Sequence, residues 1–102
     1  MIKKKYYREN KNRHKEYSWK SNGIKDMTVE RYNLLLIKQK YCCAICLTPN
    51  TKLKRVLAVD HDHKTGEVRG LLCDACNRAL GYFKESQFII NNARTYLLCH
   101  KK

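Results

Sequence analysis

Residues 43–77 read CAICLTPNTKLKRVLAVDHDHKTGEVRGLLCDACN, and this stretch decides the fold. Two CxxC pairs, Cys43 with Cys46 and Cys73 with Cys76, stand on either side of a cluster of acids and histidines. Two thiolates from one tight turn can reach a single ion, and a second such turn completes the tetrahedron that Zn²⁺ prefers. A four-thiolate site leaves no open position for water or substrate. The cysteines therefore predict a structural Zn²⁺ ion that takes no part in catalysis.

The run Asp60-His61-Asp62-His63 lies between the cysteine pairs, and Asn77 directly follows the last cysteine. A solvated polar turn is the plain alternative, but this combination in a basic, zinc-stapled domain favours a chemical role. Mg²⁺ prefers oxygen ligands and is gripped by only one or two protein groups. Asp60 offers a carboxylate and Asn77 a carbonyl oxygen. Histidine is the side chain suited to proton transfer near neutral pH, so His61 can take a proton from water. These residues predict phosphodiester hydrolysis assisted by Mg²⁺ or Mn²⁺.

The strand that leads into this cluster has to be irregular if the prediction is right. Adjacent residues on a regular strand point to opposite faces of the sheet. Asp60 and His61 can act on one phosphate only where the strand ends or distorts. We therefore expect an irregularity between these two residues.

The chain has 102 residues and a formal net charge of +13. This length allows one small domain, which buries too little surface to do without a staple. The sequence has no apolar run of signal-peptide or membrane-span length, so we expect a soluble, cytoplasmic protein with reduced or metal-bound cysteines. The positive charge favours nucleic acid as partner. An anionic membrane fits less well, because no strongly amphipathic helix concentrates the charge.

Much of the positive charge lies near the N-terminus. Residues 1–25 carry nine lysines or arginines against two glutamates, interleaved with three tyrosines and Trp19. Such a mixture can track a phosphate backbone. We assign residues 1–25 to a basic N-terminal arm or helix, with a frayed basic tail as the alternative, and residues 26–102 to the zinc-stabilised domain.

Local signals predict three helices around the cluster. Thr28 can cap a helix that runs to about residue 40. A short helix should run from about residue 74 to residue 83, and a last helix should begin after a cap at Ser86. The apolar face of the first of these helices comprises Val29, Tyr32, Leu35 and Leu36. The apolar face of the last comprises Ile89, Ala93, Tyr96 and Leu97.

Two short strands should precede the second of these helices. Residues 53–59 and 68–72 have strand character, and residues 64–67 form the turn between them, where Gly66 supplies backbone freedom. The predicted fold is therefore a small α+β domain stapled by a four-cysteine zinc site and flanked by helices.

These motifs resemble the recombination endonuclease VII family, phage enzymes of the larger HNH or His-Me finger group. The DHDH run, the framing CxxC pairs and RGLLCDACN at residues 69–77 carry the resemblance. YCCAICL at residues 41–47, LGYFKES at residues 80–86 and ARTYL at residues 93–97 are also similar to the family. The resemblance covers roughly residues 28–98.

The resemblance implies a ββα-metal fold over about residues 53–83. It implies Asp60 and Asn77 as ligands of the catalytic metal, His61 as general base and His63 as an auxiliary contact to the phosphate. It further implies a DNA endonuclease, in a phage or its bacterial host, that leaves 5′-phosphate and 3′-hydroxyl ends.

Several alternatives stay open at this point. A non-enzymatic zinc module that binds nucleic acid is the alternative function, although binding alone would not need the DHDH residues, and an RNase or toxin nuclease could use the same metal finger. The substrate could be duplex or branched DNA. The best-known family member has a longer C-terminal region that helps build its dimer and its selectivity for branched DNA, whereas this chain ends soon after Leu98. Apolar positions in the helices could pair two copies, and Cys42 and Cys99 have no assigned role.

Overall fold

The structure is a computed structural model that describes residues 15–100. Residues 15–21 form helix α1. The later elements are α2 (Val29–Lys38), a 3-10 turn (Asn50–Lys52), β1 (Ala58–His61), β2 (Val68–Leu72), α3 (Asp74–Tyr82) and α4 (Gln87–Cys99). Strands β1 and β2 form a two-stranded antiparallel sheet. Helix α2 packs against β2, and α3 packs against β1. The predicted small α+β class is confirmed.

Helix α2 begins at its predicted cap. The Thr28 hydroxyl accepts a hydrogen bond from the Arg31 backbone N–H at 3.1 Å, which satisfies one of the free donors of the first turn. The helix ends at Lys38, two residues before the predicted end. Lys40 and Tyr41 follow with φ values of 55° and 63°, a left-handed conformation that cannot continue a right-handed helix.

The first strand is shorter at its start than predicted. It begins at Ala58, where we expected residue 53, and it continues to His61. Ala58 pairs with Leu72. Strand β2 ends at Leu72 because the next residue, Cys73, is the N-cap of α3. Residues 53–57 therefore have no partner strand, and a segment without ladder hydrogen bonds does not form a strand.

The core lies between α2, the sheet and the two cysteine turns. Its fully or nearly buried residues are Ile24, Met27, Cys43, Leu57, Leu71, Leu72 and Cys73. Trp19 of α1 stacks on Tyr32 of α2, with ring centroids 5.6 Å apart. The Tyr32 hydroxyl in turn donates to the Leu57 carbonyl at 2.5 Å. Helix α1 is thus docked on α2 through an aromatic pair.

The division at residue 25 stays a prediction. Trp19 and Ile24, on its N-terminal side, both pack against the core of the domain. Residues 1–14, which make up most of the predicted basic arm, lie outside the described residues.

Helix α4 begins at the predicted cap, where the Ser86 hydroxyl accepts from the Ile89 backbone N–H at 3.2 Å. Its apolar side chains are largely exposed. The exposed large residues are Phe88, Ile89, Tyr96, Leu97 and Leu98. Over residues 15–100, the structure contains no helix long and apolar enough to cross a membrane.

Candidate metal centre and active site

The four predicted cysteines form one cluster. The Sγ atoms of Cys43, Cys46, Cys73 and Cys76 all lie within 4.8 Å of one another, and all four thiols are free. The Cys46 and Cys73 sulfurs are 3.7 Å apart. Tetrahedral ligands at about 2.3 Å from Zn²⁺ would be about 3.8 Å apart, so the spacing fits. The cluster could hold a metal such as zinc, and Cys42 and Cys99 lie outside it.

Local turns bring the two cysteine pairs together. The Cys43 backbone N–H donates to the Thr48 carbonyl at 3.0 Å and closes the first turn. The Ala44 N–H donates to the Leu71 carbonyl at 3.2 Å, which ties this turn to β2. Cys73 is the N-cap of α3, and its sulfur accepts from the Cys76 N–H at 3.4 Å. The second pair therefore connects β2 directly to α3.

The thiols differ in acidity. Hydrogen bonds with the side chain and then the backbone of Thr48 lower the pKa of Cys46 to about 6. Burial, followed by hydrogen bonds shared with the other three cysteines, raises the pKa of Cys76 to about 12. Without a cation, Cys76 therefore stays a thiol at neutral pH, and the four cysteines are not all thiolates. A bound cation would supply the positive charge needed to hold four of them together.

The end of β1 is irregular at the predicted position. Asp60 pairs with Gly70, but His61 pairs with Val68, so Arg69 is an extra residue on β2. This is the arrangement of a β-bulge, which bends the strand and re-aims side chains. The expected break in register between Asp60 and His61 is therefore present.

Asp60 is the one charged residue that is buried within residues 15–100. Arg69 binds its carboxylate through two hydrogen bonds, Nε to Oδ2 at 2.7 Å and Nη2 to Oδ1 at 3.0 Å. Arg69 Nη2 also donates to Glu85 Oε1 at 2.6 Å. The hydrogen bonds to Asp60, and then the one to Glu85, raise the pKa of Arg69 above its usual value. Sequence reasoning missed Arg69 and Glu85, although Arg69 begins the quoted RGLLCDACN motif.

The two histidines of the cluster lie side by side. Their rings, those of His61 and His63, are in a T-shaped contact with centroids 4.8 Å apart. His63 Nε2 lies 3.9 Å from Glu85 Oε1. Glu85 is therefore near both the histidine pair and the guanidinium of Arg69.

Asp62 has a different role from its neighbours, because it shapes the turn. Its Oδ1 accepts from the backbone N–H groups of Lys64 and Thr65 at 2.7 and 3.0 Å. The Thr65 bond and then the Lys64 bond lower the pKa of Asp62. Gly66 has a φ of +80°, and a Cβ there would lie 2.7 Å from the Gly23 carbonyl oxygen. The predicted need for glycine at this turn is confirmed.

Asn77 lies in the first turn of α3, and its side chain is exposed. Its backbone N–H donates to the Cys73 carbonyl at 3.0 Å, so the second cysteine pair fixes its place on the helix. Because α3 packs against β1, Asn77 is on the helix that adjoins the strand bearing Asp60. The catalytic roles of Asp60, His61, His63 and Asn77 stay predictions.

A basic surface adjoins α3. Two grooves, of about 340 and 380 Å³, meet at the exposed side chains of Lys54 and Arg55. The first also includes Lys15 of α1, and the second includes Arg78 in the middle of α3. Among the described residues that line them, Asp74 is the one acid, and it pairs with Arg78. The paired grooves, which we call the basic groove, carry a net positive charge.

A β-hairpin that runs directly into a helix, with two cysteine pairs clustered at their junction, defines a small ββα domain with a candidate metal site. The chain belongs to the recombination endonuclease VII family, whose model matches residues 10–99.

Two curated phage proteins are similar over most of the chain. The Gene 59 protein of Mycobacterium phage D29 is 40% identical over 95 residues, which cover 90% of this chain and 57% of that protein. The Gene 59 protein of Mycobacterium phage L5 is 38% identical over 96 residues, covering 91% and 58% respectively. The chain thus spans less than two thirds of the length of these relatives. A search of solved structures gave no significant match.

Proposed function

We propose that this chain is a DNA endonuclease that depends on Mg²⁺ or Mn²⁺ and is held in its fold by a structural Zn²⁺ ion at the four-cysteine cluster. Membership of the recombination endonuclease VII family supports the reaction class. The observation that carries the site assignment is the buried Asp60 carboxylate, which lies at a β-bulge and directly precedes His61, whose ring contacts that of His63. A buried charge is costly to maintain, so its retention favours a function.

The oxygen donors near the bulge fit a hard divalent cation. The Asp60 carboxylate and the Asn77 side-chain carbonyl would hold Mg²⁺ or Mn²⁺, both of which accept oxygen ligands. An ionised carboxylate has about four acceptor positions, and Arg69 uses two of those on Asp60. When bound, the cation would neutralise charge on the phosphate and on the leaving oxygen.

His61 is the proposed general base. Its neutral imidazole would take a proton from the attacking water, and loss of a positioned base lowers rates by about 10²–10⁴-fold. The contact with His63 supports the ring orientation of His61, and His63 would also contact the phosphate. The products would carry 5′-phosphate and 3′-hydroxyl ends.

The basic groove is the proposed track for one DNA strand. Lys54 and Arg55 contribute exposed cations, and Arg78 directly follows the proposed metal ligand Asn77. Phosphate contacts of this kind supply affinity without reading sequence. We infer duplex or branched DNA as substrate in the phage-infected cell. A second copy of the chain as partner is supported by the exposed apolar side chains of α4.

One observation favours a second candidate, a zinc module that binds nucleic acid without cutting it. Both oxygens of Asp60 are already engaged by Arg69, as they would be in an ion pair with a purely structural role. The basic groove and the four-cysteine cluster would be sufficient for such a module.

A cleavage assay separates the two candidates. The purified chain is incubated with linear duplex, single strand, four-way junction and RNA, each with and without Mg²⁺, beside an Asp60→Ala protein prepared in the same way. Cleavage of DNA that requires Mg²⁺ and is absent from the Asp60→Ala preparation would support the endonuclease. Binding of all substrates without cleavage would assign the chain to the zinc module, and cleavage of RNA alone would make it an RNase.

A further inference from the structure

Arg69 binds the carboxylate that is proposed to hold the cation. Its guanidinium donates to both oxygens of Asp60, a geometry in which a planar donor matches a carboxylate. A divalent cation brought to the same carboxylate would face this positive charge at short range. The cation and Arg69 would therefore compete for Asp60.

The β-bulge orients the Arg69 side chain toward Asp60. Arg69 is the extra residue on β2, opposite the step from Asp60 to His61. On a regular strand its side chain would point to the face opposite that of Gly70, the residue paired with Asp60. The bulge changes this alternation, so the same irregularity orients both Arg69 and the proposed catalytic pair.

Glu85 gives Arg69 a second partner. It accepts from Arg69 Nη2 at 2.6 Å and lies 3.9 Å from His63 Nε2. Lys84 and Glu85 have φ values of 56° and 54°, in the left-handed region that costs free energy for residues other than glycine. The strained turn after α3 thus places a carboxylate where it can retain Arg69 if Asp60 releases it.

We propose that Arg69 is a positioning residue that holds Asp60 in the ion-free protein and releases it to the divalent cation, while Glu85 keeps the guanidinium at the site. This inference rests on the proposed metal-dependent function. Before the exchange, Arg69 compensates the buried charge of Asp60. After it, the Nη2 bond to Glu85 keeps the guanidinium next to His63, and the N–H groups freed from Asp60 can bind a phosphate oxygen.

The exchange predicts opposite changes in metal affinity and in activity. Arg69→Gln removes the competing charge, so Mn²⁺ should bind the DNA-free protein about tenfold more tightly, because a nearby unit charge no longer repels the ion. DNA cleavage should fall nonetheless. Arg69→Lys keeps the charge and should leave Mn²⁺ affinity near that of the wild type. Arg31→Gln, on the exposed surface of α2, is the matched control and should change neither quantity.

Mn²⁺ binding is measured by electron paramagnetic resonance on zinc-loaded protein, with zinc content and thermal unfolding recorded for every variant. Mn²⁺ binding that Asp60→Asn abolishes establishes the site independently of Arg69. If Asp60→Asn binds Mn²⁺ as the wild type does, the proposed metal site fails and the exchange fails with it. If the site is established but folded Arg69→Gln binds Mn²⁺ no more tightly than the wild type, only the exchange is overturned.

A measurement on the wild-type chain covers the case in which Arg69→Gln does not fold. The Nε–H resonance of Arg69 is followed by NMR while Mg²⁺ is added. The exchange predicts a large shift of this resonance that saturates with Mg²⁺ binding, because Nε loses its bond to Asp60. An unchanged Arg69 resonance at saturating Mg²⁺ would overturn the proposal.

Discussion

The side-chain amide of Gln39 binds both backbone groups of Leu71. Its Nε2 donates to the Leu71 carbonyl at 3.0 Å, and its Oε1 accepts from the Leu71 N–H at 2.9 Å. The same Nε2 donates to the Cys42 carbonyl at 2.9 Å. Gln39, at the end of α2, thus makes the two backbone hydrogen bonds that a neighbouring strand would make to Leu71. It also connects β2 to the first cysteine turn.

Replacing Gln39 should therefore destabilise the whole domain. Gln39→Ala leaves the backbone N–H of the fully buried Leu71 without a partner, and one unsatisfied buried group costs about 1–3 kcal/mol. We expect a lower unfolding temperature for the zinc-loaded protein, measured by calorimetry or circular dichroism. Gln87→Ala, at the exposed start of α4, is the control. Equal unfolding temperatures for the two variants would contradict the role of Gln39.

The parts of the fold that depend on neighbouring residues could be predicted from the sequence. Thr28 and Ser86 cap their helices, and Gly66 takes a positive φ, because each depends on a few adjacent residues. The cysteine cluster was predictable as well, since CxxC spacing brings two sulfurs together within one turn. The start of β1 was not, because it depends on how far the partner strand extends.

The contacts within the candidate site could not be predicted from the sequence. Asp60 and His61 were proposed from their residue types. The need for an irregular strand followed from their adjacent positions, because neighbouring residues on a regular strand point to opposite faces. Arg69 meets Asp60 only because of a bulge, and Glu85 meets Arg69 only because the chain turns back after α3. Glu85 is sixteen residues beyond Arg69, so the contact depends on the path of the chain rather than on a local pattern.

The basic groove gives a prediction about salt. The double variant Lys54→Ala and Arg55→Ala should bind duplex DNA more weakly and with a shallower dependence on salt. Each phosphate contact that is lost changes the slope of log K against log salt by about 0.9. Fluorescence anisotropy at several salt concentrations measures this slope, with Lys38→Ala on α2 as the control. A slope equal to that of the wild type would place the DNA elsewhere on the surface.

The two proposed metals should respond differently to chelation. Four clustered thiols should hold zinc tightly, whereas two oxygen ligands should hold Mg²⁺ weakly. Brief EDTA treatment and desalting should remove all cleavage activity but leave one zinc per chain and an unchanged circular dichroism spectrum. Added Mg²⁺ or Mn²⁺ should restore cleavage. Zinc analysis of the treated protein checks this directly, and loss of zinc with retention of activity would reverse the assignment.

Substitutions in the candidate site should divide into two kinds. Asp60→Ala and Asn77→Ala each remove an oxygen ligand, so cleavage should be lost through weakened metal binding, and excess Mn²⁺ should partly restore Asn77→Ala. Metal titrations of the cleavage rate measure this difference. Asp60→Ala also leaves Arg69 without its buried partner, so its unfolding temperature has to be compared with that of Asn77→Ala.

His61→Ala removes the proposed base but no metal ligand. Cleavage should fall by about 10²–10⁴-fold, while the affinities for DNA and for Mn²⁺ stay near those of the wild type. His63→Ala should cost less, because its proposed role is a supporting contact to the phosphate. Both proteins should retain zinc, since neither change alters a cysteine. Single-turnover cleavage rates with parallel binding measurements test this pair, and wild-type cleavage by His61→Ala in a nuclease-free preparation would remove His61 from the mechanism.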